Sequence, residues 1–228
     1  MTKAQWGGIA ASLVVVTLVG CSGGNEPSGT YKAADAERLA YLAPRTPGWP
    51  PWPQTPEGEP PSQSLEELAA RDPILAEYLR RTADIDRPDD WSSGNRWADN
   101  DKLANLVLDV FGTAADAHVG FLAANDLSRA YGAKYGVVVR AEKVDGLGDE
   151  AWRLWAHGNG RQVTYHWRRD NLVTEVHVHC YARECPSDVD ADVDAAAREW
   201  ADAVDEEARS GRGYFSPPAS SPRSSIRT

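Results

Sequence analysis

Two stretches on either side of residue 170 alternate strictly between apolar and polar side chains, and this alternation constrains the fold more than any other feature. The apolar members are Val163, Tyr165, Trp167, Val176, Val178 and Cys180, and the polar members are Gln162, Thr164, His166, Glu175, His177 and His179. A period of two is typical of strands with one buried face and one solvent-facing face. A two-residue turn at Asp170-Asn171 sets Val163 opposite Val178, so that apolar residues meet. The sequence therefore predicts an antiparallel hairpin with one apolar and one polar face.

Hydrophobic periodicity places further elements on both sides of this hairpin. Strands are predicted over residues 102–111, 135–141 and 151–156, and helices over residues 30–43, from 64, from 73, over 114–125 and over 188–209. The order is helix, strand, helix, four-stranded meander and helix. We therefore expect an α+β fold, an antiparallel sheet of about five strands with helices packed on one face.

The N-terminal region has the pattern of an export signal. Lys3 precedes an apolar run over residues 9–19, which is too short to span a bilayer. The run ends in Leu18-Val19-Gly20-Cys21, which resembles the lipobox of bacterial lipoproteins. This resemblance implies that residues 1–20 are a signal peptide and that Cys21 carries acyl chains. The chain is then expected on the extracytoplasmic face of the cell membrane, held there by its lipid anchor.

Composition divides the remaining chain into segments. Residues 22–29 are rich in Gly and Ser, and residues 44–61 contain eight prolines, which favour an extended, semi-rigid conformation. We interpret residues 21–63 as a tether and Pro-rich spacer, residues 64–209 as the folded domain and residues 210–228 as a disordered tail. Trp49 and Trp52 lie within the Pro-rich stretch, either packed on themselves or available to a partner.

The exported location bears on the two remaining cysteines. Cys180 and Cys185 are separated by four residues, and oxidising surroundings favour a disulfide between them. The alternative is a pair of metal thiolates. A disulfide that closes so short a loop adds only about 2 kcal/mol of stability.

The polar face of the hairpin carries the residues that are best suited to bind a ligand or a metal ion. His166 lies opposite Glu175 in the predicted register, and His177 and His179 project from the same side of one strand. We expect these four residues to form part of a solvent-facing contact surface. Two alternatives remain: a zinc site using His177, His179 and Glu175, or a polar face without a role. His166 and His179 are too far apart in this register to share one ion.

Charge and motif content exclude several functional classes. The chain has 24 Lys and Arg against 34 Asp and Glu, which gives a net charge of −10. This charge argues against a domain surface that binds nucleic acid or anionic membranes, because both need clustered positive charge. It contains no Gly-x-Ser-x-Gly nucleophile motif, phosphate loop or dinucleotide fingerprint. We therefore expect no catalysis, no cofactor and no resident metal. Asp149-Glu150 is interpreted as part of a turn.

An acidic stretch near residue 190 resembles a calcium-binding loop. Its acidic members are Asp188, Asp190, Asp192, Asp194 and Glu199. Val193 occupies the sixth position, where the loop requires Gly. These residues therefore fit better in the first turns of a helix, where negative charge complements the helix dipole.

Three segments resemble secreted actinobacterial lipoproteins and the extracellular sensor domains of mycobacterial receptor Ser/Thr kinases. They are Gly146-Leu147-Gly148-Asp149-Glu150-Ala151, Arg168-Arg169-Asp170-Asn171-Leu172-Val173 and Trp200-Ala201-Asp202-Ala203-Val204-Asp205. The resemblance covers about residues 100–209 and implies an α+β extracytoplasmic module that binds a ligand without established catalysis. It assigns no binding residues, and this chain has no kinase domain.

These observations predict a lipid-anchored, non-catalytic module that binds an unidentified ligand or partner of the cell envelope. One alternative is a metal-binding protein or metal-dependent enzyme that uses the His177 and His179 face. Another is an interaction protein whose Pro-rich arm, with Trp49 and Trp52, contacts a second envelope protein.

Overall fold

A computed structural model describes residues 30–44, 65–85, 92–98, 102–135, 137–157, 160–181 and 190–210. The elements are α1 (Ala33–Leu39), α2 (Leu65–Ala69), α3 (Pro73–Arg81), β1 (Ser92–Ala98), β2 (Lys102–Val110), α4 (Ala114–Lys134), β3 (Val138–Lys143), β4 (Glu150–His157), β5 (Gly160–Arg169), β6 (Leu172–Tyr181) and α5 (Asp190–Ser210). Within these ranges, no helix is both long enough and apolar enough to cross a membrane.

The six strands form one antiparallel sheet in the order β1-β2-β6-β5-β4-β3. The predicted α+β class is therefore confirmed, with one strand more than the expected five. Strand β1 was missed because its sequence, Ser-Ser-Gly-Asn-Arg-Trp-Ala, lacks apolar alternation. The predicted hairpin register is confirmed, since Val163 pairs with Val178 and Tyr165 with Val176. Asp170 in the turn adopts a positive φ of 50°, a conformation that Asp tolerates better than most residues.

One side of the sheet, which we call the α5 face, carries the apolar half of the hairpin. Helices α5 and α1 cover it. The core members are Val163, Tyr165, Trp167, Val176 and Val178 from the sheet, Val193, Ala197, Trp200 and Val204 from α5, and Ala36 and Leu39 from α1. The predicted stripe on α5 therefore packs as expected for an amphipathic helix.

The opposite side, which we call the α4 face, is also covered by a helix. Phe121 of α4 packs against the ring of His166 on β5, and Phe111, Ala117 and Val173 complete a small apolar cluster around it. Helix α3 packs in turn on α4. The expectation that helices lie on one face alone is therefore corrected: they lie on both faces. Alternation along a strand shows which residues share a side, but a polar side can also be covered.

Residues 30–44 belong to the folded domain. Tyr31, Ala36, Leu39 and Ala40 are buried in the core of the α5 face. The interpretation of residues 21–63 as a continuous tether is corrected by this packing, because its middle part is docked on the sheet. The sequence signal was too short to show this, since α1 has only seven residues.

Side chains cap the first turns of α3 and α4. Asp72 caps α3 by accepting a hydrogen bond from the Ile74 N–H at 3.0 Å, with Pro73 in the first helical position. Thr113 caps α4 through the Asp116 N–H, and α4 continues to Lys134, beyond the predicted end at residue 125. Helix α5 begins at Asp190, so the acidic stretch described above lies largely in its first turns.

Candidate functional site

The four predicted binding residues lie together on the α4 face of strands β5 and β6. His166 pairs with Glu175, and Thr164 pairs with His177, as the register predicts. However, His166, His177 and His179 are only 4%, 8% and 8% exposed. The expectation that these histidines face solvent is therefore wrong: all three side chains are buried, and α4 covers the sheet at His166.

His166 is enclosed between the sheet and α4. Its Nδ1 lies 3.1 Å from Oδ1 of Asn125, and its ring centroid lies 4.7 Å from that of Phe121. Asn125 is itself buried and donates from Nδ2 to the Phe121 carbonyl oxygen at 3.1 Å. Burial lowers the pKa of His166 from 6.5 to about 3. The ring is therefore neutral at ordinary pH and acts as a packing and hydrogen-bonding group.

His177 and His179 form a second histidine group further along β6. Nδ1 of His177 lies 3.1 Å from Oγ1 of Thr164, and the two imidazole centroids are 6.2 Å apart with nearly perpendicular planes. Burial, with a contribution from His179, lowers the pKa of His177 to about 3, and burial also lowers the pKa of His179. Both rings therefore stay neutral at ordinary pH.

Glu175 differs from its histidine neighbours. It is only partly exposed, and burial together with the charge of Asp109 raises its pKa from 4.5 to about 7. Across the described part of the chain, no side chain donates a hydrogen bond to this carboxylate or forms an ion pair with it. An ionised carboxylate in this setting is unfavourable unless a positive group approaches it.

The geometry does not assemble the predicted zinc ligands. Among the described residues, no group of three or more His, Cys, Asp or Glu side chains is placed to hold a metal ion. Cys180 is buried at the end of β6, while Cys185 lies outside the described residues, so their pairing stays a prediction. Cys21, Trp49 and Trp52 also lie outside those residues.

A charged network beside this site was missed by sequence reasoning. Glu150 accepts from Arg168 Nε at 2.6 Å, and its Oε1 lies 2.5 Å from Nδ1 of His118 on α4. Arg168 also reaches Asp149 at 3.2 Å. Burial raises the pKa of Glu150, but the hydrogen bonds from Arg168 and His118 outweigh it and lower the pKa overall. The pairing of Glu150 with Arg168 in the β4–β5 register is the signal that would have revealed this network.

A groove of about 280 Å³ lies between α3 and α4, on the outer side of α4. Its lining residues are Pro73, Ile74, Glu77, Tyr78, Arg81, Ala123, Asp126, Leu127 and Ala130. Arg81 and Asp126 form an ion pair at 2.7 Å across it. None of the four predicted binding residues lines this groove.

The chain shows little sequence or structural similarity to the known proteins with which it was compared. No family model matches the sequence, and no curated protein matches it. Among solved structures, the chain is weakly similar to the extracellular domain of PknH from Mycobacterium tuberculosis, with a TM-score of 0.31 and 16% identity. That match covers 60% of this chain and 70% of the other.

Proposed function

We propose that this chain is a lipoprotein anchored through Cys21 on the extracytoplasmic face of the cell membrane, and that its α+β domain is a non-catalytic binding module. The anchor is supported by the apolar run over residues 9–19 followed by Leu18-Val19-Gly20-Cys21. Two or more acyl chains on one cysteine give stable membrane attachment, which a single chain does not.

The observation that supports a binding role is that the carboxylate of Glu175 has no hydrogen-bond or ion-pair partner among the described residues. Glu175 pairs with the uncharged His166 across β5 and with Val107 across β2, and the nearby charge that acts on it is the acidic Asp109. A ligand with a positively charged group, such as an amine, would form an ion pair there and lower the cost of ionising the carboxyl group. We therefore assign Glu175 as the ligand contact and the histidines as the layer that positions it.

The anchor is tested by replacing the acylated cysteine. Cys21→Ala should abolish the diacylglycerol adduct, which intact mass spectrometry measures, and should move the protein out of the detergent-soluble membrane fraction. Ser22→Ala, one residue away, is the matched control and should leave both unchanged. A Cys21→Ala protein that stays in the membrane fraction with residues 1–20 attached would overturn this part of the proposal.

The ligand site is tested by thermal shift with cell-envelope fragments, each offered with a free amine and with that amine acetylated. We expect stabilisation by at least one amine-bearing fragment, loss of this effect in Glu175→Gln, and no loss in Glu199→Gln, which removes an exposed carboxylate on α5. Equal stabilisation by both forms, or an unchanged shift in Glu175→Gln, would contradict the assignment.

A further inference from the structure

Trp152 lies on the α4 face of the sheet, next to the edge strand β3. It pairs with Lys143 of β3 on one side and with His166 of β5 on the other. Directly opposed residues of antiparallel strands share one face of the sheet, with their Cβ atoms about 5 Å apart. The Trp152 indole and the Lys143 side chain are therefore neighbours at the edge of the α4 face.

Helix α4 brings a second cation to the same indole. Cζ of Arg129 lies 5.4 Å from the centroid of the Trp152 ring, and Nζ of Lys143 lies 5.9 Å from it. Both distances are within the range in which a cation is attracted to an aromatic ring. Because both are measured to one centroid, the two cationic atoms are at most about 11 Å apart.

The positive charge around Trp152 is only partly compensated. Lys143 is exposed, and its ammonium group forms no ion pair and no hydrogen bond with any residue that the structure describes. Arg129 binds Asp126 at 3.1 Å, but the same carboxylate also pairs with Arg81 at 2.7 Å. Three cations therefore share one carboxylate, which leaves an excess of positive charge on this side of α4.

The other carboxylates close to Lys143 in the sheet already have partners. Glu150, on the same face of β4, accepts from Arg168 Nε at 2.6 Å. Glu142 precedes Lys143 in the sequence but lies on the α5 face, where it pairs with Arg153. Neither carboxylate therefore neutralises the Lys143 ammonium group.

The indole N–H of Trp152 supplies a third donor. Within the ranges that the structure describes, Arg153 Nε is the only buried side-chain nitrogen or oxygen without a hydrogen-bond partner. The Trp152 N–H has no acceptor there either, so it is open to solvent rather than buried. An indole nitrogen can only donate a hydrogen bond, which suits it to an oxyanion and not to a cation.

We propose that Arg129, Lys143 and Trp152 form a binding site for the phosphate group of a ligand. The guanidinium group of Arg129 matches two phosphate oxygens at once, while the ammonium group of Lys143 acts as a compact point charge. A phosphate monoester has three free oxygens and close to two negative charges, so it can accept from all three donors. A carboxylate has only two oxygens and one charge, and it fits this set of donors less well.

This phosphate site goes beyond the proposed function and is separate from the Glu175 site. The register places Trp152, His166 and Glu175 on three successive strands, and α4 packs over His166, between the other two. The two sites also select ligand groups of opposite charge. Neither the Glu175 site nor the Cys21 anchor is needed for the phosphate site, so each proposal can fail alone.

The test follows the indole N–H of Trp152 in the full chain labelled with ¹⁵N-tryptophan. Inorganic phosphate replaces chloride at constant ionic strength, and the Trp152 cross-peak is assigned by its absence in Trp152→Phe. We expect phosphate to shift this cross-peak saturably. Lys143→Gln and Arg129→Gln should each weaken binding by about fivefold, the upper range for an exposed ion pair. The control is Arg140→Gln, which removes an exposed cation from the α5 face of the same strand and should leave binding unchanged.

Further titrations distinguish the source of the phosphate. Glycerol 3-phosphate represents a soluble phosphate ester, and bicelles of phosphatidylcholine with phosphatidic acid, compared with phosphatidylcholine alone, represent a lipid headgroup. A saturable shift with either probe supports the site and identifies the source.

Two results would overturn the inference. One is the absence of a saturable shift with inorganic phosphate, glycerol 3-phosphate and phosphatidic acid alike. The other is an equal phosphate shift in the wild type and in the Arg129→Gln, Lys143→Gln double variant. A lower thermal midpoint in that variant, with no phosphate shift in the wild type, would show that the two cations only pack on the indole.

Discussion

Each face of the sheet is covered by a helix of 21 residues, yet the strand residues that the two helices face differ in polarity. The α5 face is closed by apolar residues, with Trp167 and Trp200 almost fully buried. The α4 face carries the histidines, Thr164 and Glu175, and α4 lies directly over His166. The α5 face is stabilised mainly by the burial of apolar surface. On the α4 face, hydrogen bonds offset the free-energy cost of burying polar groups.

The contrast shows how a polar sheet face becomes an interior. Two of its histidines have a named neutral partner: His166 lies against Asn125, and His177 lies against Thr164. Neutral imidazoles with satisfied nitrogens cost little to bury, whereas a carboxylate without a partner remains unfavourable. Glu175 is therefore the residue of the α4 face whose ionised form is unfavourable in the folded protein.

The largest expected effect tests the apolar face. Trp200→Ala removes a fully buried indole and its hydrogen bond to the Leu42 carbonyl oxygen at 2.8 Å. We expect a loss of about 3–5 kcal/mol in the free energy of unfolding, measured by urea denaturation. Tyr41→Ala is the control, since this ring is half exposed, and it should cost less than about 1 kcal/mol. Similar losses in the two variants would show that the α5 face is not the main core.

The apolar face could be predicted from the sequence in considerable detail. Strict alternation and a two-residue turn fixed the hairpin register, because a slip by one residue would have placed Val163 opposite a polar side chain. The stripe on α5 was equally clear, since Val193, Ala197, Trp200 and Val204 recur at helical spacing. Local patterns sufficed because the central cross-strand pairs of the hairpin, Val163 with Val178 and Tyr165 with Val176, are apolar on both strands.

The polar face could not be predicted, for a physical reason. The burial of His166 depends on Phe121 and Asn125, which lie 45 and 41 positions away in the chain, and period-two alternation contains no information about them. The docking of residues 30–44 was missed for a related reason. Tyr31 is held by Asn171, 140 positions away, and a seven-residue helix gives a weak pattern of its own.

The second prediction concerns Glu175, the group that makes the α4 face sensitive to pH. Its pKa is about 7 in the folded protein against 4.5 as a reference, so the folded state favours the protonated form. This contribution to stability is present below pH 4.5 and is lost as the pH rises through 7. Glu175→Gln keeps a neutral group at all pH values. We expect it to be more stable than the wild type at pH 8 by about 2 kcal/mol, with the difference shrinking towards zero at pH 5.

The buried histidines make the free energy of unfolding depend on pH in the opposite direction to Glu175. The experiment must therefore distinguish their contribution from that of Glu175. The pKa of His166 and of His177 is lowered from 6.5 to about 3, so their contribution is present above pH 6.5 and is lost as the pH falls towards 3. Both proteins contain these histidines, and the difference between their urea unfolding curves therefore isolates Glu175. A difference that is constant from pH 5 to pH 8 would refute the raised pKa.

The smallest effect compares the two faces at adjacent positions of one strand, using side chains of nearly equal size. Val163→Thr places a hydroxyl group in the apolar layer of the α5 face and should cost about 1–2 kcal/mol. Thr164→Val removes the hydroxyl that bonds to His177 on the α4 face and should cost about 1 kcal/mol. A second readout is the imidazole nitrogen chemical shift of His177, which should move in Thr164→Val and stay fixed in Val163→Thr. If Thr164→Val instead stabilises the protein without moving that shift, the Thr164 hydroxyl does not offset the burial of His177.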